Sequence, residues 1–192
     1  MYESAYDIAK AFGYLTQDEV TGLKKLAKML PENPVVVNIG AGTGTSAIAV
    51  MEDRPDLHMI TIDISKGGPL GGLENERNAI ENHASLDTDG RYGQVLADSK
   101  EYAEDYTGKI DMVYIDGDHS YSGCKGDVEG WLPHIKDGGI IALDDYGTSK
   151  YEQHKGWPGV KMVVDELLVP RFEEVLRMDT LIAFRVKENG DE

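Results

Sequence analysis

The chain contains one cysteine, Cys124, so it can form no internal disulfide and nothing in it requires an oxidising compartment. No apolar run approaches the length of a membrane span. The first residues, Met1-Tyr-Glu-Ser-Ala-Tyr-Asp7, lack the basic and apolar blocks of a signal peptide. A cytoplasmic location with no membrane partner is the expectation. Positive charge is scarce, with 19 Lys and Arg against 35 Asp and Glu, a formal net charge of −16. A field of that sign repels phosphate backbones and anionic lipid, which argues against nucleic acid as a partner but not against a cation. Most of these carboxylates read as solvated surface. Internal repeats, low-complexity tracts and a convincing domain boundary are also missing. At 192 residues and 41% hydrophobic, the chain reads as a single domain spanning residues 1–192, with 1–33 as an N-terminal helical cap.

The most informative stretch is Val35–Ser46, Val-Val-Val-Asn-Ile-Gly-Ala-Gly-Thr-Gly-Thr-Ser. Three β-branched residues and Ile39 predict a short strand buried on both faces. The chain then turns through Gly40, Gly42 and Gly44 into the apolar run Ala47–Met51, read as a helix. Glycines at such a turn let the backbone approach a ligand closely, and the helix start offers unpaired N–H groups to an anionic group. A nucleotide-type cofactor loop is the expected role.

Residues 3–12 predict a short helix. Thr16-Gln-Asp-Glu19 has the form of a capping box, followed by Val20, Leu23, Leu26, Ala27 and Leu30 at helical spacing. Pro31 and Pro34 end that helix. His58–Asp63 reads as a second strand closing on an acid, nineteen residues beyond Gly44. In nucleotide-binding α/β folds an acid near that spacing accepts hydrogen bonds from ribose hydroxyls, and Ile64 stands beside it. Lys66–Gly72 reads as a glycine-rich loop and Leu73–Leu86 as a helix. Tyr92–Ala97 predicts a third strand ending at Asp98-Ser99, placed to cap a helix over Lys100–Tyr106 and to meet a cofactor at the same strand end.

In Ile110-Asp-Met-Val-Tyr-Ile-Asp-Gly-Asp-His-Ser-Tyr121, a buried strand exposes Asp116, Asp118 and His119 at its end. Val128, Trp131, Leu132 and Ile135 give the next helix its apolar face, which Gly138-Gly139 is expected to terminate. Ile140–Leu143 predicts a fifth strand, ending on Asp144-Asp145. Asp116, Asp144 and Asp145 then lie on one side of a parallel sheet, as caps or as oxygen ligands for a hard divalent cation. Val160–Val169 predicts a helix. Phe172–Arg177 and Leu181–Val186 are strands too close together for a helical crossover, so they pair antiparallel.

These residues resemble a class I S-adenosylmethionine-dependent methyltransferase over residues 16–187. Asn38-Ile-Gly40-Ala-Gly42-Thr-Gly44 is similar to that family's first motif, with Asn38 where an acid is usual. Asp63 matches the ribose-binding acid and Asp98-Ser99 the pair near the adenine. Tyr114-Ile-Asp-Gly-Asp-His-Ser-Tyr-Ser-Gly123, Asp127, Trp131-Leu-Pro133, Gly138-Gly139 and Asp144-Asp145-Tyr146 resemble the small-molecule O-methyltransferases of the cephalosporin hydroxylase and macrocin methyltransferase group. The resemblance implies an α/β, Rossmann-like, doubly wound sheet of seven mostly parallel strands with a C-terminal antiparallel hairpin. It implies S-adenosyl-L-methionine bound by Asn38, Gly40, Gly42, Gly44, Asp63, Ile64, Asp98, Ser99 and Asp116. By parallel with the catechol and caffeoyl-CoA type, it also implies Mg²⁺ or another divalent cation held by Asp116, Asp144 and Asp145.

The expected reaction is methyl transfer to a hydroxyl of a small-molecule acceptor, with Asp116 and His119 catalytic and His119 as general base. Tyr151, His154 and Trp157 follow the fifth strand, where acceptor-binding loops occur. A homo-oligomer is left open. Two other readings stand beside this one. A nicotinamide-dependent oxidoreductase would need glycine at position 45, which is Thr45, and would lack the terminal hairpin. The other is a non-catalytic accessory protein that binds S-adenosylmethionine, an idea supported by Asn38.

Overall fold

The computed structural model describes residues 4–12, 14–64, 90–150 and 156–187. The expected loop at 66–72, the helix at 73–86 and residues Tyr151 and His154 lie outside the described residues.

Seven strands form one sheet: β1 (Val35–Ile39), β2 (His58–Asp63), β3 (Tyr92–Leu96), β4 (Ile110–Ile115), β5 (Ile135–Leu143), β6 (Glu173–Met178) and β7 (Leu181–Arg185). Their spatial order is β3-β2-β1-β4-β5-β7-β6. The first five run parallel to one another, whereas β7 runs antiparallel to both β5 and β6. The chain therefore reverses direction across the sheet between β1 and β4. Ligands of open α/β sheets bind at such a switch point, beyond the carboxyl ends of the strands.

Alternation along the central strands divides the interior into two cores. Val36, Met112, Tyr114, Ile140, Ala142, Leu181 and Ala183 face one side, where they meet α1 (Ala5–Phe12), α2 (Gln17–Met29) and α3 (Thr45–Met51). Val37, Val113, Ile115, Ile141, Leu143, Ile182 and Phe184 face the other, against α4 (Ser99–Asp105), α5 (Tyr121–Trp131) and α6 (Pro158–Val163). A period of two with both faces apolar is what a sheet covered on both sides requires. The N-terminal helices thus share a core with the sheet. The capping box is formed in full, with Glu19 Oε2 accepting from the Thr16 N–H at 2.7 Å and Thr16 Oγ1 accepting from the Glu19 N–H at 3.2 Å.

Two boundaries differ from expectation. Helix α5 ends at Trp131, after which Leu132–His134 winds a single 3-10 turn. Pro133 has no N–H to continue the helical ladder, so the chain leaves the helix there. Gly138 and Gly139 consequently lie inside β5, where the pairing with β4 skips from Ile110↔Ile135 to Met112↔Ile140. Gly138 takes φ +78° at this irregularity, a conformation that favours glycine. The C-terminal helix is also not uniform: α6 gives way to a π-helical turn over Val164–Leu168.

Candidate functional site

The carboxyl ends of β1, β2, β4 and β5 are tied to one another by the backbone just beyond them. The Gly40 N–H donates to Ile62 O at 2.9 Å, Asp116 N–H to Ile39 O at 2.9 Å, and Asp144 N–H to Ile115 O at 3.1 Å. Gly40, Gly42 and Gly44 all have positive φ, at 91°, 47° and 84°. At Gly40 a Cβ would stand 2.1 Å from the Asp116 carbonyl oxygen, so only glycine lets this loop lie against the end of β4. A Cβ on Gly42 would instead meet nothing within 4 Å, and the loop therefore has an open side.

Asn38 serves the loop from within. It is 1% exposed; its amide donates to Gly40 O at 2.9 Å, and its Oδ1 accepts from Ser46 Oγ at 3.0 Å. An uncharged amide suits this position because it both donates and accepts inside the turn. Asp63 lies on the adjoining strand end and accepts the Ala41 N–H at 2.7 Å. Ile64, next in the chain, is about half exposed. Asp98 caps α4 by accepting the Lys100 N–H at 2.9 Å. Ser99 is buried, and its hydroxyl donates to the Asp127 carboxylate of α5. Burial pushes the Asp127 carboxyl up to about 6 despite the Ser99 hydrogen bond that opposes the shift. Ser99 is thus turned into the protein, and its carbonyl accepts from the Trp131 indole N–H at 3.2 Å.

On the other side of the loop, the structure brings Asp116, His119 and Asp145 together. One ligand atom from each lies within 4.8 Å of the others. His119 Nε2 is 3.1 Å from Asp116 Oδ1 and 3.1 Å from Asp145 Oδ2. All three side chains are roughly a quarter exposed, at 27%, 28% and 23%. Burial opposes the charged form of His119, but the hydrogen bond and charge of Asp116 and the charges of Asp145 and Asp118 outweigh it, so its pKa is raised. Burial and then the Asp116 charge push Asp145 up to about 7. Asp145 holds φ +62°, a left-handed conformation, and its carbonyl accepts the Trp157 N–H at 2.8 Å. The Trp157 ring stacks on His119, with centroids 5.4 Å apart and planes 17° from parallel, and remains 52% exposed.

Asp144 does not join this cluster. Its carboxyl accepts from the Tyr114 hydroxyl at 2.8 Å and the Thr180 hydroxyl at 3.2 Å, and it is 4% exposed. Thr180 also donates its backbone N–H to Glu19 Oε1 at 3.3 Å, and its hydroxyl contacts the same oxygen. Burial raises the Asp144 pKa well above the ordinary carboxylate value, and the charges of Glu19, Asp116 and Asp145 push it in the same direction. The strand alternation explains the difference. Asp144 follows Ile140 and Ala142 onto the face that α2 covers, which is also the face of Tyr114. The sequence reading missed Glu19 and Thr180 as parts of this arrangement, because their partners lie 161 residues apart.

The donor set of Asp116, His119 and Asp145 fits a divalent cation: two carboxylate oxygens and one imidazole nitrogen converge, and the side chains reach solvent. The glycine loop fits a bound nucleoside in the same sense, since its open side lies over the switch point and Asp63 stands at its edge.

Several solved structures share this fold. A Staphylococcus aureus protein, provisionally described as a caffeoyl-CoA O-methyltransferase, superposes with a TM-score of 0.72 at 18% identity, covering 96% of this chain and 93% of that one. The O-methyltransferase NovP gives 0.66 at 15% identity, over 89% and 80% of the two chains. CalS11, a TDP-rhamnose 3′-O-methyltransferase of calicheamicin biosynthesis, gives 0.59 at 19%, over 90% and 78%. A mimivirus protein of Acanthamoeba polyphaga mimivirus, R132, itself uncharacterised, is 25% identical over 160 residues, or 78% of this chain and 68% of that protein. The sheet order, the reversed β7 and the strand-end site therefore define a class I methyltransferase fold. A family model described as a methyltransferase domain matches residues 37–146, from β1 to just beyond the Asp144-Asp145 pair, and the chain belongs to that family.

Proposed function

We propose that this protein transfers the methyl group of S-adenosyl-L-methionine to a hydroxyl oxygen of a small-molecule acceptor, assisted by a divalent cation. The observation that carries this reading is the contact between its two halves. The glycine loop lies directly on the backbone of Asp116, whose side chain belongs to the Asp116–His119–Asp145 cluster.

The sulfonium methyl carbon of the bound cofactor is electrophilic without further activation. The work left to the chain is orientation and proton removal. The Gly40–Gly44 backbone would line the methionine portion, held in shape by Asn38. Asp63 would accept the ribose hydroxyls, and Ile64, Asp98 and the backbone of Ser99 would border the base. Asp116 and Asp145 would hold the cation, which when bound supplies Lewis acidity that lowers the pKa of the acceptor hydroxyl. The cluster, with three proton-accepting groups within 4.8 Å of one another, is where that proton would be received. Neighbours named as O-methyltransferases support an oxygen acceptor, and the exposed Trp157 ring beside His119 offers an apolar surface against which a small acceptor would rest.

The experiment is a thermal-shift titration followed by a transfer assay. S-adenosylhomocysteine should raise Tm and NAD should not. Label from methyl-labelled S-adenosylmethionine should pass to hydroxylated small molecules, stop on chelation and resume when a divalent ion is restored. Stabilisation by NAD without stabilisation by S-adenosylhomocysteine would overturn the reading.

A further inference from the structure

We infer that Asp127, with Trp131, is a positioning residue for the nucleoside half of the cofactor: acting through Ser99, it fixes the turn between β3 and α4 that would border the base. The inference rests on the methyltransferase reading above and concerns how tightly that half is held.

Ser99, the first residue of α4, is tied to α5 at two atoms. Its hydroxyl donates to the Asp127 carboxylate, and its carbonyl accepts from the Trp131 indole N–H at 3.2 Å. Residues four apart lie on one face of a helix, so a single face of α5 supplies both ties. The adjoining row of α5 carries glycine where α4 comes nearest. A Cβ on Gly126 would stand 2.5 Å from Lys100 Cδ, and one on Gly130 would stand 3.4 Å from the Ala103 Cβ. Helix α4 therefore lies close on α5, and Ser99 cannot turn or slide without breaking a buried hydrogen bond.

Asp127 reaches a second loop. Its other carboxylate oxygen lies 3.5 Å from where a Cβ on Gly117 would stand, in the loop that leaves β4 after Asp116. One side chain thus touches the loops beyond β3 and β4. In the sheet those strands are separated by β2 and β1, which carry Asp63 and the glycine loop. Asp127 joins the two sides of the switch point across the place proposed for the nucleoside. Holding α4 on α5 would need only apolar contacts, and a buried carboxylate is costly: burial pushes it up to about 6 despite the Ser99 bond. What the hydrogen bonds add is a single arrangement of the turn, which apolar packing alone specifies less sharply.

The test measures binding to the whole chain by calorimetry, below the melting temperature of every variant. The ligands are S-adenosylhomocysteine and methylthioadenosine, which lacks the amino-acid half. Asp127→Ala should weaken both by the same factor, at least about tenfold. Ser99→Ala keeps the backbone and loses the inward hydroxyl, and it should weaken both ligands equally. The double variant should lose no more than either single one, because the residues act as a pair. Asp127→Asn retains an oxygen for the Ser99 hydroxyl and should stay within about threefold of the parent. A merely structural role would lower the melting temperature of Asp127→Ala and leave the affinity of its folded chain unchanged. The inference is overturned by that result, by a loss confined to S-adenosylhomocysteine, by additive losses in the double variant, or by Asp127→Asn binding as poorly as Asp127→Ala. Where Asp127→Ala fails to fold, Ser99→Ala and Asp127→Asn decide, the first losing affinity and the second keeping it. A parent chain that binds neither ligand overturns the methyltransferase reading and this inference with it. A parent that binds both, with variants that match it, overturns the inference alone.

Discussion

Asp144 and Asp145 are neighbours in the chain and belong to different regions of the molecule. Asp144 turns to the α2 side, loses its water, and is held by Tyr114 and Thr180 with Glu19 behind them. Asp145 leaves the strand in a left-handed conformation and meets Asp116 and His119 at the surface. A buried carboxyl without a cation must be neutral or richly hydrogen-bonded. A partly exposed one near a histidine keeps its access to water and to a ligand. The inner group therefore serves the fold, and the outer group is the one the proposed reaction uses.

The comparison breaks if variants in the two groups behave alike. Asp116→Ala should lower methyl transfer by about a hundredfold or more, since a ligand and its charge are lost together, while Tm stays within about two degrees of the parent. Both are read from one preparation by a transfer assay and a melting curve. Glu19→Ala should show the converse. It leaves the Thr16 and Thr180 N–H groups without their acceptor, at roughly 1–3 kcal/mol each, while the Thr180 hydroxyl keeps Asp144, so urea unfolding should show a loss of about 4 kcal/mol.

Asp127 extends the comparison to a third acid, buried between α5 and Ser99. Its folded-state pKa of about 6 lies above the ordinary carboxylate value, so the native state binds its proton more tightly than the unfolded chain does. Its ionisation therefore lowers stability as pH rises from about 4 to about 6, and changes nothing further above that. Asp127→Asn should remove this dependence. The stability of the variant relative to the parent should climb across that window by at most about 3 kcal/mol, measured by urea midpoints at several pH values. The smallest effect is expected at Asp144→Asn. Burial favours the neutral form of this carboxyl, and a neutral carboxyl loses little on becoming an amide, about 1 kcal/mol from one imperfect hydrogen bond. A loss as large as that of Glu19→Ala would mean that Asp144 is ionised in place and that the two regions are not distinct.

Much of this architecture was legible in the chain. The Val35–Ile39 run, the alternate glycines, the capping box and the closely spaced terminal strands each have local causes, and each formed as read. That Asp116 and His119 would stand together was legible because three positions separate them on one strand end. The role of Asp144 was not, although the alternation of Ile140 and Ala142 already points it to the α2 face. Glu19 and Thr180 could not be paired from the sequence, since a capping box explains the first completely and their contact depends on how α2 docks on the β6–β7 turn. The end of α5 was misplaced for a simpler reason: Gly138-Gly139 is a strong stop signal, but Pro133 acts first.

The central claim is that the open side of the Gly40–Gly44 loop and the Asp116–His119–Asp145 cluster are the two halves of one methyl-transfer site. Calorimetric titration of S-adenosylhomocysteine into the whole chain tests the first half most directly. One molecule should bind per chain, and Gly40→Val, which drives a side chain into the Asp116 carbonyl, should abolish the heat while NAD gives none in either protein. No binding of S-adenosylhomocysteine to the parent chain, or equal binding to Gly40→Val, would contradict the claim.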